Sequence, residues 1–182
     1  MRADAVRNRE RLLTVAAEVF AEHGVDASLD DIARRAGVGP GTLYRHFPTR
    51  LALQEAVYRD GVEEHCARAA TLGASMAPGP ALTAWMRSFA GFLGRKRGLS
   101  AALMTTMDKS SELFVSTHKA IADAAGELLD RAKAAGVVRE DVTVSDLLKL
   151  INGIGLCTER MPDREEQTGR LLSIVFDGLH PR

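Results

Sequence analysis

The chain has 182 residues, with 24 Lys and Arg balanced by 24 Asp and Glu, 46% hydrophobic residues and 26% charged ones. That length suits one compact domain, or a small domain joined to a larger one, and the composition excludes a disordered or collagen-like chain. Two cysteines, Cys66 and Cys157, exclude a disulfide framework or a zinc ribbon, and zero net charge counts at first sight against a nucleic-acid partner.

The N-terminal MRADAVRNRERLL begins with charges and no apolar h-region follows it. No apolar run approaches the ~18–20 residues that cross a bilayer, so the expectation is a cytoplasmic protein with no membrane partner. Alanine is abundant and β-branched runs are scarce, which predicts an all-α fold. Leu12, Leu13, Ala16, Ala17, Val19 and Phe20 recur at helical spacing and predict one amphipathic helix, ended by Gly24. Ser28 to Asp31 reads as a capping box, with the Ser28 hydroxyl on the Asp31 amide and Asp31 reaching back. The short helix that it opens turns Ile32 and Ala33 inward and stops at Gly37. Pro40 suits the first turn of a third short helix, GTLYRHF, which Pro48 ends. A helix, a capped short helix, a glycine turn and a second short helix within about 40 residues make the helix-turn-helix pattern.

A fourth helix is predicted from Thr49 to about Thr71, followed by the loop GASMAPGP. Helices over about 81–97 and 99–107 come next, then a long one over 111–135 closed by Gly136. A helix capped at Thr143 or Ser145 carries LLKLINGIGLC, and a last one covers about 164–179. The expected architecture is a three-helix head, residues 1–48, on a helical body, residues 49–182, with about nine helices in all.

The run RERLLTVAAEVFAEHGVDASLDDIARRAGVGPGTLYRHFPTRLALQEAVY, residues 9–58, resembles the N-terminal DNA-binding domain of the TetR family of bacterial transcription regulators, and GVGPGTLYRHF followed by Arg50 is its most specific part. The tail DVTVSDLLKLINGIGLCTE resembles one branch of the family. The resemblance implies phosphate contacts at Thr42, Tyr44, His46 and Arg50, with one more from Ser28. The chemistry agrees. A recognition helix entering a major groove ~12 Å wide needs little bulk on its leading edge, which Gly39, Pro40 and Gly41 supply. Thr42, Tyr44 and His46 offer donors suited to phosphate oxygens. Arg45 carries the recognition helix's one guanine-reading fork and is the candidate for base readout, with phosphate contact alone as its other reading. Leu43 and Phe47 are expected to hold the head together. Arg34 and Arg35 are expected in solvent. The arm residues Arg7, Arg9 and Arg11 are expected to be mobile without DNA, and some of them to order on its backbone or in its minor groove, Arg9 being the candidate contact; a frayed, inert terminus is the other reading.

In the body the resemblance implies an effector pocket among the helices after the fourth. Trp85, Phe89, Phe92, Met104, Met107, Phe114 and His118 are its candidate lining; aromatic and Met stripes at helical spacing also build ordinary core. The last two helices carry Leu147, Leu148, Ile151, Ile154, Leu171, Leu172, Val175 and Leu179 on more than one face, and Gly155 permits close approach. The resemblance implies that these helices pair with those of a second copy, giving a homodimer that reads a palindromic double-stranded DNA operator. The function expected is an effector-released repressor. A thiol-based redox regulator and a ligand-independent DNA-binding protein are the alternatives. No enzyme, cofactor or metal is expected: His65-Cys66 is not a ligand spacing, the five histidines are scattered, and no phosphate loop or nucleophile–base motif occurs.

Overall fold

The computed structural model describes residues 2–106, 111–159 and 161–181, with side chains 2, 3 and 95–97 left aside. The described residues form eight α-helices: α1 Arg2–His23, α2 Leu29–Arg35, α3 Pro40–His46, α4 Arg50–Ser75, α5 Pro78–Thr106, α6 Glu112–Ala134, α7 Val144–Thr158 and α8 Arg164–Leu179. The helices expected over 81–97 and 99–107 are continuous as α5. No proline interrupts that stretch, and a helix tolerates Gly98 at a cost of about 1 kcal/mol. The GASMAPGP loop shrinks to Met76 and Ala77, because α4 runs on to Ser75 and Pro78 opens α5. The expected arm also differs: Arg7, Arg9 and Arg11 lie within α1, which is helical from Arg2.

The chain divides by packing into residues 1–61 with 96–114, and residues 62–95 with 115–182. In the first unit, Leu12, Leu13, Ala16, Val19 and Phe20 of α1 close on Ile32, Ala33, Leu43 and Phe47. Leu53 and Val57 of α4, Leu99 and Leu103 of α5, and Leu113 and Phe114 complete the same core. Two glycines with positive φ shape the turns: Gly24 (φ 81°) ends α1, and Gly37 (φ 68°) ends α2. The amides of Gly37 and Val38 return to the carbonyls of Arg34 and Ala33, at 3.1 and 3.0 Å, a left-handed close that other residues adopt only with strain. Ser28 caps α2 by accepting from the Asp31 amide at 3.3 Å. The Asp31 carboxylate does not complete the box, because it pairs with Arg34 and Arg35.

The second unit is built on Trp85, Met86 and Phe89 of α5, Leu128 and Leu129 of α6, Leu147 and Ile151 of α7, and Leu172 of α8, all buried. Thr143 and Asp146 form a complete capping box at the start of α7. The Arg139 amide donates to the Leu179 carbonyl at 2.9 Å, which ties the α6–α7 connector to the end of α8. Where α7 and α8 meet, the hydroxyls of Thr158 and Thr168 are 3.0 Å apart.

Candidate nucleic-acid interface

The seven residues of α3 divide cleanly between core and solvent. Leu43 is fully buried and Phe47, just past the helix, nearly so, as expected of the pair that holds the head together. Tyr44 and Arg45 are exposed, and Thr42 and His46 half-buried. No hydrogen bond or ion pair within the described residues engages the Arg45 guanidinium or the Tyr44 hydroxyl, so the donors that α3 turns outward are uncommitted. Gly39, Pro40 and Gly41 are exposed at the leading edge of the helix. A Cβ at Gly39 or Gly41 would meet nothing within 4 Å among the described residues, and neither glycine has positive φ. Their smallness therefore answers no need of this chain's own packing.

Around α3 the charges are sorted by pairing. Arg34 and Arg35 are bound to Asp31, and Arg35 also to Glu22 at 3.0 Å. That hydrogen bond to Glu22 leads the effects that hold the Arg35 guanidinium more firmly protonated than usual. Both arginines are thus neutralised in place. Arg11 donates to the Ala36 carbonyl at 3.2 Å, Arg7 pairs with Asp4, and Arg9 lies 5.8 Å from the centre of the Phe47 ring. Arg50 donates to the carbonyls of Val25 and Ala27 at 3.1 and 2.6 Å. Gln54, 7% exposed, joins it with a bond of 3.1 Å to the Val25 carbonyl. Sequence reasoning missed Gln54, because a lone polar residue one turn into an amphipathic helix carries no spacing signal.

The body residues fall in several places. Trp85 stacks on Phe89 with ring centres 4.9 Å apart, Phe92 lies 4.3 Å from His65, and the Trp85 ring nitrogen donates to the His65 carbonyl at 3.0 Å. These aromatics fill the space between α4 and α5 as packed core. Phe114 is buried in the first unit beside Tyr58. Met104 and His118 are exposed, and Met107 lies outside the described residues. Of the expected pairing surface, Leu147, Leu148, Ile151, Ile154, Gly155, Leu172 and Leu179 are buried within the single chain, and Leu171 and Val175 are half-buried. The apolar side chains that α7 and α8 leave most open are Leu150, Leu156 and Ile174, at 43%, 66% and 57% exposure. Burial, then the carboxylates of Asp123 and Glu63, push the Cys66 thiol up, which disfavours the reactive thiolate. Among the described residues no group of His, Cys, Asp and Glu is placed to hold a metal, and no helix is long and apolar enough to cross a membrane.

Against known proteins, residues 12–57 match the family model described as bacterial regulatory proteins, tetR family. Residues 77–181 match the model described as transcriptional regulator SbtR-like, C-terminal domain. The TetR transcriptional regulator SCO0520 from Streptomyces coelicolor is 42% identical over 95% of this chain and 98% of its own, with a TM-score of 0.85. A TetR transcription regulatory protein from Mycobacterium vanbaalenii is 39% identical over 99% of both chains, with a TM-score of 0.81. The HTH-type transcriptional regulator SAB2452 of Staphylococcus aureus is 50% identical over 54 residues, a segment spanning 29% of this chain and 29% of that relative.

Proposed function

The chain belongs to the TetR family of bacterial regulatory proteins, and on that premise we propose that it is an effector-responsive repressor that binds a palindromic operator as a homodimer in the cytoplasm. Residues 1–48 bind the DNA, and residues 49–182 bind the effector and make the dimer. The observation that carries this reading is the leading edge of α3, where Gly39 and Gly41 are small although nothing among the described residues crowds them. Such a surface suits the close approach of a duplex. Thr42, Tyr44 and His46 bind phosphate oxygens from that edge, with Ser28 and Arg50 beside them, and Arg45 reads a base.

Pairing uses the outward faces of α7 and α8, where Leu150 and Ile174 are exposed, so that two heads address two half-sites. An effector acts by its differential affinity for the DNA-competent and incompetent arrangements of those heads. With a neutral chain, paired geometry more than bulk charge supplies affinity, so non-specific binding is modest and the salt dependence reflects a handful of phosphate contacts in each half-site.

Fluorescence anisotropy with duplex DNA tests the reading. Tyr44→Phe, which removes one exposed hydroxyl, leaves the thermal midpoint unchanged and weakens binding to every sequence. Unchanged affinity would remove Tyr44 from the interface, and no measurable duplex binding by the unsubstituted protein would refute the reading.

A further inference from the structure

Two cavities of the second unit lie along one side of α5 where it faces α8, and they share Arg87. The first, about 430 Å3, counts Arg87, Arg164, Glu165 and Thr168 among its lining residues. The second, about 610 Å3, is walled by Leu82, Val137, Val138 and Phe176. The arrangement is a cationic site opening onto an apolar trough.

Three features mark the groove as built rather than incidental. The ion pairs of the described residues include neither Arg87 nor Arg164; Arg87 spends one weak bond, at 3.3 Å, on the Ser173 hydroxyl. A Cβ on Gly94 would run into the Arg164 guanidinium, so α5 lacks a side chain at the position where the cation lies. Finally, Trp85, Phe89 and Phe92 occupy the opposite face of α5, packed with His65, so the core does not need this side of the helix.

The groove lies away from the pairing face proposed above. At 100° per residue, the α8 side chains that line it, Thr168, Leu172 and Phe176, are on the face opposite Ile174, which is the exposed apolar residue available for pairing.

We infer that this groove binds a monoanionic amphiphile, an aliphatic or aromatic monocarboxylate. Its carboxylate sits between Arg87 and Arg164 and its apolar tail lies over Leu82, Val137, Val138 and Phe176. Guanidinium groups pair with carboxylates through short, charge-assisted bonds, and an apolar cavity with a few polar groups at one end is the usual form of a small-molecule site. Glu165 beside the two cations lowers the positive field and disfavours a phosphate dianion. This inference deepens the effector reading above and rests on it for its regulatory consequence.

Calorimetric titration of the full chain with decanoate tests it, beside acetate, which lacks the tail, and decyltrimethylammonium, which inverts the charge. Decanoate binds saturably at one site per chain, and the other two do not. Arg87→Met and Arg164→Met each weaken decanoate about tenfold or more, the loss expected when a bond to a charged group is removed. Gly94→Ala displaces the Arg164 guanidinium while keeping both arginines, and weakens decanoate several-fold. Circular dichroism and the thermal midpoint check that each variant is folded. No decanoate binding, equal binding of the cationic amphiphile, or unchanged affinity in the folded arginine variants would overturn the assignment. A parallel titration against operator DNA separates the two readings. Decanoate bound at the groove with no effect on operator affinity leaves the site standing and contradicts the effector response, whereas intact operator binding without decanoate binding overturns the groove alone.

Discussion

The Arg50 guanidinium donates to the carbonyl of Ala27 at 2.6 Å, one residue before the Ser28 cap of α2. The first turn of α4 therefore holds the loop that starts the helix-turn-helix, with Gln54 bonded to the Val25 carbonyl one turn further on. The side chain proposed to meet phosphate is already part of the scaffold that positions the cap. Arg50→Ala is expected to lower stability in urea denaturation by about 1–2 kcal/mol, since it strands two partly buried carbonyls from a charged donor, as well as to weaken DNA binding. Unchanged stability would mean that water satisfies those carbonyls and that Arg50 serves the DNA alone.

Gly41 separates the demands of folding from those of function. A glycine inside a helix costs up to about 1 kcal/mol relative to alanine, and a Cβ here has open space. Gly41→Ala is expected to leave the urea midpoint unchanged or raise it, and to weaken operator binding by steric contact with the duplex. A variant that binds as tightly as the parent would show that the leading edge of α3 does not approach DNA closely.

Ile174→Glu places a charge on a side chain 57% exposed in the single chain. It should leave the fold intact and give a monomer by light scattering. Leu148→Glu, by contrast, should unfold the second unit, because Leu148 is 7% exposed and packs within its own chain. A persistent Ile174→Glu dimer would place the pairing surface elsewhere.

This division explains which parts of the molecule are legible in sequence. Helix type and the turn at Gly37 follow from local signals, namely apolar spacing, a cap and a glycine with positive φ. The sidedness of α3 is equally readable, because Leu43 and Phe47 lie four residues apart. Which apolar face of α7 or α8 meets its own chain is not readable, since Leu148 and Leu150 differ in burial but not in chemistry. The Arg87–Arg164 groove is invisible for a different reason. It joins residues 77 positions apart, and a glycine on a third turn makes the room. The role of Asp31 is not readable from the Ser28 box either, because Arg34 and Arg35, three and four residues on, compete for the same carboxylate.

Asp146 gives a pH test of local stability. Its carboxylate accepts from the Thr143 hydroxyl at 2.6 Å and the Thr143 amide at 2.9 Å, and these bonds hold it below the usual carboxyl range. A carboxyl lowered in the folded state stabilises above its unfolded value of about pH 4, and that contribution is lost as pH falls through the folded value. Asp146→Ala should therefore be less stable than the parent at neutral pH, with the gap in urea midpoints closing below about pH 4. A gap independent of pH would assign the loss to contacts that the protonated side chain also makes and not to the charged cap, since alanine is itself the better helix former.

In the proposed complex, two copies of this chain present paired α3 helices to a twofold DNA site. Selection of bound duplexes from a random pool by the full protein tests it most directly. The expected product is an inverted repeat whose half-sites are centred about 10 base pairs apart or a multiple of that spacing, with the preference diminished when the selection is repeated with Arg45→Ala. Recovery of no preferred sequence, or of a single unrepeated half-site, would contradict it.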